Sequence, residues 1–188
     1  HHGRAYPVLI AMTDAKTDPK NLLALVGMEA DRHGYILIAP DWGGGQFGGV
    51  TEWGYNGAEH EYVTAVLRDA IRHFCIDNDR VFMLGLGDGA NMAMDIGASH
   101  PDLFAGVVAM GPNPKWINMF ETYWQNAQKL PFYVVTGEMT GQGMANLRRI
   151  YEPWMRYGFA SLMVVYKGRG TEWYSAEAPI MFDWMGRK

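Results

Sequence analysis

Cysteine is nearly absent: Cys75 is the lone thiol in 188 residues, which excludes an internal disulfide framework and leaves the compartment open. Its neighbours place it near the end of an amphipathic helix, where a buried, inert thiol is expected rather than a nucleophile. Histidine is sparse too, with six in all and none after His100. Basic excess is missing: the formal net charge is −4, so no positive field points to nucleic acid or to an anionic membrane. Long apolar runs are also lacking. The 48% hydrophobic content is scattered in short stretches, far below the roughly 18 residues of a membrane span. What the chain does have is bulk. Thirteen methionines, seven tryptophans and ten tyrosines put large side chains in excess, and some of them are expected on a pocket or contact surface.

Apolar runs and helical patterns alternate along the chain. Strands are predicted at 6–12, 35–39, 81–84, 105–110, 132–136 and 160–166, with helices at 19–32, 58–75, 89–99, 115–128, 142–157 and 176–185. The helix over 58–75 gathers Tyr62, Val63, Val66, Leu67, Ala70, Ile71 and Phe74 on one face. A glycine-rich loop fills 41–57. Such alternation predicts an α/β class: a doubly wound, mostly parallel sheet of about six strands with helices on both faces. No repeat or linker divides it, so residues 1–188 read as one domain. The chain enters its first strand almost at once, after His1-His2-Gly3. That start reads as a piece of a longer polypeptide, the other reading being a tag remnant at His1-His2. It leaves a sheet edge for pairing with upstream sequence or for self-association. No targeting segment is legible, so localisation stays unassigned.

Residues 81–99 carry the most informative pattern. An apolar strand, Val81 to Leu84, runs into Gly85-Leu86-Gly87-Asp88-Gly89 and directly on into a helix. This strand, tight turn and helix are the context of a G-x-S-x-G nucleophile elbow. Around it stand Tyr6-Pro7-Val8-Leu9-Ile10, then Asp31-Arg32-His33-Gly34-Tyr35 with Ala39-Pro40-Asp41-Trp42. Ile76-Asp77-Asn78-Asp79-Arg80-Val81 and His100-Pro101-Asp102-Leu103-Phe104-Ala105-Gly106 bracket it. In this order the chain resembles the core of an α/β-hydrolase of the esterase, dienelactone-hydrolase and prolyl-oligopeptidase-like kind. The resemblance covers most of the chain but not the two antiparallel strands that open that fold. It implies a Ser-His-Asp triad in three separate loops. The serine position is Gly87. The acid loop, of the form Gly-x-x-Asp, reads Gly137-Glu138-Met139-Thr140, leaving Thr140. The base loop, of the form Gly-x-Gly-His, reads Gly168-Arg169-Gly170-Thr171, leaving Thr171.

Two functional expectations follow. The first is a catalytically impaired hydrolase fold that binds a small molecule, a peptide or a partner at the old active-site face. The second is an ester or amide hydrolase with relocated groups, the candidates being Asp88, Glu138, Glu172 and His60. Asp88 would take the elbow in a shifted register, as in haloalkane dehalogenases. For Glu138 and Glu172, pairing with Arg148, Arg149 or Arg169 is the competing reading. Ligand-binding candidates are Thr13, Asp14, Trp42, Trp53, Tyr55, Asp88, Trp116 and Trp173, from loops expected at the carboxyl ends of the strands. The aromatic loops, which also hold Phe47, Phe120, Tyr123, Trp124 and Tyr174, equally read as a pocket filled by its own side chains. An anion hole is conceivable between the Asp88 N–H and the 12–14 loop, although the Asp88 charge opposes it. No metal and no cofactor are predicted: Glu59-His60-Glu61 has ligand-like types, but adjacent helical residues point apart. The Gly85-x-Gly87-x-Gly89 spacing is not a dinucleotide fingerprint.

Overall fold

The computed structural model describes residues 3–14, 16–42, 53–114 and 125–188. Six strands form one parallel sheet: β1 (Tyr6–Met12), β2 (Ile36–Ile38), β3 (Ile76–Leu86), β4 (Gly106–Met110), β5 (Phe132–Gly137) and β6 (Ser161–Tyr166), in the spatial order β2-β1-β3-β4-β5-β6. The helices are α1 (Pro19–His33), α2 (Gly57–His73), α3 (Asp88–Ser99), α4 (Gln142–Arg156) and α5 (Glu177–Met185). Strand order reverses between β1 and β3, so the carboxyl ends of those two strands flank the crevice where open α/β sheets bind ligands. None of the helices described is long and apolar enough to cross a membrane.

Two hydrophobic layers sandwich the sheet. One joins Val8, Ile10, Val81 and Met83 to Val63 and Leu67 of α2, to most of α3, and to Leu147, Ile150 and Trp154 of α4. The other joins Leu9, Phe82, Leu84 and Val108 to Leu22, Val26 and Ala30 of α1 and to Met181, Phe182 and Met185 of α5. Alternate residues of a strand face opposite layers, which is why the β1 and β3 side chains divide between them. Helix boundaries follow local chemistry. Asp18 caps α1 by accepting from the Lys20 N–H at 2.8 Å, Pro19 opens it, and Gly34 at φ 71° closes it. Asn56 and Glu59 form a reciprocal capping box at the start of α2.

Several expectations need correction. The strand expected to start at Val81 starts at Ile76, and its register against β1 slips between Tyr6 and Val8. Pro7 lies in that gap; it has no N–H to donate, so the ladder is interrupted there and the extra β3 residues bulge. Helix α2 stops at His73, earlier than expected. Phe74 caps it in an extended conformation and Cys75 is exposed, not buried. Only Val63, Leu67 and Ala70 of its apolar face are fully buried, while Ile71 and Phe74 face solvent. Of the helix expected at 115–128, residues 125–128 form turns and 115–124 lie outside the described residues.

Helix α5 is tied to the sheet by a buried polar contact. Tyr133 of β5 and Tyr166 of β6 both donate their hydroxyls to Glu177, the Tyr166 bond measuring 2.6 Å. The hydrogen bond to Glu177, then burial, pushes the Tyr166 hydroxyl up to about 12. Burial first and Glu177 second push Tyr133 up as well. A group that holds its proton more tightly folded than unfolded contributes stability below its unfolded pKa, and loses it as pH rises to the folded value. Stability therefore falls between about pH 10 and 12. Tyr166 is only partly buried, so its share is on the order of 1 kcal/mol after screening. Urea midpoints at pH 9 and 11.5 check this: the wild type should lose more stability over that interval than Tyr166→Phe, and equal losses would refute the linkage.

Candidate functional site

Close backbone packing at two glycines, with a third at positive φ between them, shapes the elbow. A Cβ on Gly85 would lie 2.1 Å from the Gly89 carbonyl oxygen, and one on Gly89 would lie 2.1 Å from the Met12 carbonyl oxygen. Glycine at both lets the first turn of α3 sit directly on the ends of β1 and β3. Between them Gly87 takes φ 61° and ψ −119°, its N–H donating to the Met110 carbonyl at 2.9 Å. Side-chain-bearing residues rarely hold this conformation. A Cβ there would meet nothing within 4 Å, so the turn presents position 87 to open space. Position 87 thus sits on a tight, outward-facing turn and carries no side chain.

Asp88 is spent on bracing. One carboxyl oxygen accepts from the Trp53 N–H at 3.0 Å, and the other accepts from the Asn91 side-chain amide at 2.9 Å. Asn91 in turn donates to the Asn113 carbonyl at 3.1 Å and accepts from the Asn113 N–H at 2.9 Å. Asp88 thereby joins α3, the segment before α2 and the loop after β4. Both of its oxygens are engaged, which opposes a nucleophilic role.

The loop after β1 is equally self-contained. Asp14 accepts from the Lys16 N–H at 2.9 Å and from the Thr17 hydroxyl at 2.8 Å, while Thr13 donates its hydroxyl to the Thr17 carbonyl at 3.2 Å. The Thr13 carbonyl accepts from the Trp42 indole at 2.8 Å. The hollow lined by Thr13, Asp14, Asn21 and Leu86 encloses about 40 Å³, room for a water but little more.

The loops at 137–140 and 168–171 lie side by side. Thr140 donates its hydroxyl to the Gly137 carbonyl at 2.9 Å. Residues 168–171 cross the ends of β4 and β5: a Cβ on Gly137 would lie 2.2 Å from the Arg169 carbonyl oxygen, and one on Gly111 would lie 2.8 Å from Thr171 Cγ2. Glu138 accepts from the Gly168 N–H at 3.2 Å. Glu172 takes two bonds from the Arg169 guanidinium, each 2.6 Å, and that partner holds its carboxyl below the usual range. A depressed carboxyl is poorly matched to proton transfer near neutrality.

The aromatic candidates are inside rather than along an open cleft. Trp42, Trp53 and Tyr55 are 1%, 4% and 8% exposed and pack edge to face on one another, so as binding surfaces they are corrected to core. Trp173 is half-buried against the second core layer. Trp116, Phe47, Phe120, Tyr123 and Trp124 lie outside the described residues.

His60 belongs to a separate cluster. Its Nε2 lies 2.7 Å from Asp95 Oδ2, which also accepts from the Trp53 indole at 2.9 Å; its Nδ1 lies 3.3 Å from His100 Nε2. Trp53 stacks on the His60 ring, with centroids 5.8 Å apart. Burial, followed by the neighbouring His60, lowers the His100 imidazole below its ordinary value. Seven residues separate Asp95 from Asp88, so the cluster sits about 10 Å down α3 from the elbow and does not serve position 87. Sequence reasoning overlooked Asp95 and His100. The available signal was a lone charge, Asp95, in the apolar stretch Met92 to Ala98, which demands a buried partner.

No known family profile matches the chain. A poly(3-hydroxybutyrate) depolymerase of Ralstonia pickettii is 32% identical in an alignment of 95 residues that covers 45% of this chain and 19% of the depolymerase. The match therefore spans about a fifth of that relative's length. Among solved structures, esterase PE8 superimposes with a TM-score of 0.78 at 17% identity, covering 98% of this chain and 94% of the other. SOBER1 of Arabidopsis thaliana gives 0.72 at 16% identity, over 97% and 99%.

The elbow's glycines separate shape from chemistry. Gly87→Ser should fold with a loss of about 1–3 kcal/mol, the cost of its backbone conformation. Gly89→Ala drives a methyl into a backbone oxygen and should cost about 4 kcal/mol or more. Denaturant midpoints of the two variants check the ordering, and equal losses would contradict the packing described. Superposition over nearly the whole of both chains shows the fold: this chain has the doubly wound α/β-hydrolase fold.

Proposed function

We propose that this α/β-hydrolase-fold chain is catalytically impaired as a serine hydrolase and works by binding a small molecule or partner at the former active-site face. The observation that carries the reading is Gly87, held at φ 61° where an attacking oxygen would be needed. Acyl transfer by a triad needs a nucleophile, a base to take its proton and an acid to orient the base. Thr140 and Thr171 stand in the loops where acid and base belong, and neither side chain titrates near neutrality. Loss of a working triad removes on the order of 10⁶ in rate. Asp88, Glu138 and Glu172 are engaged with loop amides, Asn91 and Arg169, which supports structural roles for all three.

A second reading is an active ester or amide hydrolase with relocated groups. The esterases and the depolymerase among the similar proteins favour it, and the His60–Asp95 pair at 2.7 Å has the contact of a base with its orienting acid. It requires a nucleophile within reach of His60.

Hydrolysis of a short-chain aryl ester by the purified chain decides between them, measured beside alanine variants at Asp88, Glu138, Glu172 and His60. The first reading predicts no rate above buffer for any of the five proteins. Turnover by the wild type that one substitution removes would establish the second reading and locate its chemistry.

A further inference from the structure

The cluster on α2 and α3 lies away from the elbow and does not depend on what the elbow does. Its two imidazoles meet at a surface hollow of about 290 Å³ lined by Gly57, His60, Glu61, Thr64, Ser99 and His100. Three features there bear on a ligand. First, Asp95 is 1% exposed and its Oδ1 has no hydrogen-bond partner among the described residues; the same is true of the buried hydroxyl oxygen of Ser99, on the wall of the hollow. Second, Asp95 Oδ2 fixes the proton of His60 on Nε2, leaving Nδ1 with its lone pair toward His100. Third, His60 Nδ1 and His100 Nε2 are 3.3 Å apart. Two nitrogens bound tetrahedrally to one zinc ion at about 2.0–2.1 Å are themselves about 3.3–3.4 Å apart.

We propose that His60 and His100 form an open binding site for a divalent transition-metal ion of the zinc class, supported by Asp95. Metal-ligating histidines almost always donate their second ring N–H to a carboxylate or carbonyl, the arrangement that His60 already makes with Asp95. Asp95 acts through the imidazole: its bond to His60 Nε2 orients the ring and raises the basicity of Nδ1, the atom that ligates. Among the described residues no three His, Cys, Asp or Glu side chains converge, so the chain supplies two ligands and water completes the shell. Glu61 on the rim is engaged by Arg68. On binding, His100 moves its ring proton to Nδ1 so that Nε2 can ligate. The run Glu59-His60-Glu61 does not itself form the site. Glu59 is committed to the capping box, and the second ligand lies 40 residues further on.

Zinc titration of the full chain by calorimetry tests the site, with His100→Gln and Asp95→Asn beside the wild type and circular dichroism confirming folding of each. One saturable equivalent is expected for the wild type. His100→Gln should abolish it, and Asp95→Asn should weaken it about 10–100-fold. Cobalt(II) on the wild type alone gives an independent readout, the intense visible band of a four-coordinate ion. No saturable equivalent, an unchanged affinity in folded His100→Gln, or only the weak spectrum of six-coordinate cobalt would each overturn the proposal.

Discussion

Backbone pressed against backbone at the top of the sheet is the constraint on which the structure turns. The first turn of α3 reaches its place only because Gly85 and Gly89 have no Cβ to collide with the Gly89 and Met12 carbonyls. That approach buries α3 on every side between Gly89 and Ala98 and joins the ends of β1 and β3 at the switch point of the sheet. It also fixes Gly87 in a left-handed turn that aims outward. Packing by itself requires this shape, whatever chemistry position 87 carries.

Around this point the chain uses carboxyl groups as braces. Asp88 holds the segment before α2 and, through Asn91, the loop after β4. Glu59 closes the start of α2 on Gly54 and Asn56. Glu177 gathers two tyrosine hydroxyls from β5 and β6 onto α5. Buried carboxyl groups are costly unless their oxygens are satisfied. These three are satisfied on both oxygens, and Asp95, whose Oδ1 has no partner among the described residues, stands apart from them.

How far the sequence could be read depends on the range of the interactions involved. Periodicity and punctuation are local, so α1 emerged from Pro19, its apolar spacing and Gly34 to within a residue. The parallel, doubly wound sheet followed from strict alternation of strands and helices. The start of β3 was misread because its first residues are polar and join the sheet across a bulge opposite Pro7. Cys75, Ile71 and Phe74 were misplaced because the helical stripe continued in the pattern after the core had ended. The elbow at Gly87 was legible, since glycine spacing encodes the turn. That Trp42, Trp53 and Tyr55 fill space rather than line it was not, because only tertiary packing distinguishes an occupied cleft from an open one. The pairing of His60 with His100 was equally hidden, resting on the contact of two helices distant in sequence.

The central claim is that the elbow has kept its form and lost its chemistry at more than one place. Restoring only the serine tests it most directly: aryl-ester turnover, and a burst of acyl-enzyme, measured for Gly87→Ser with Thr140 and Thr171 untouched. The account predicts a folded protein with no turnover above the parent chain, because the new hydroxyl has neither base nor acid to activate it. Sustained turnover with a covalent intermediate on Ser at that position would contradict it, by demonstrating that a working acid and base remain in the chain.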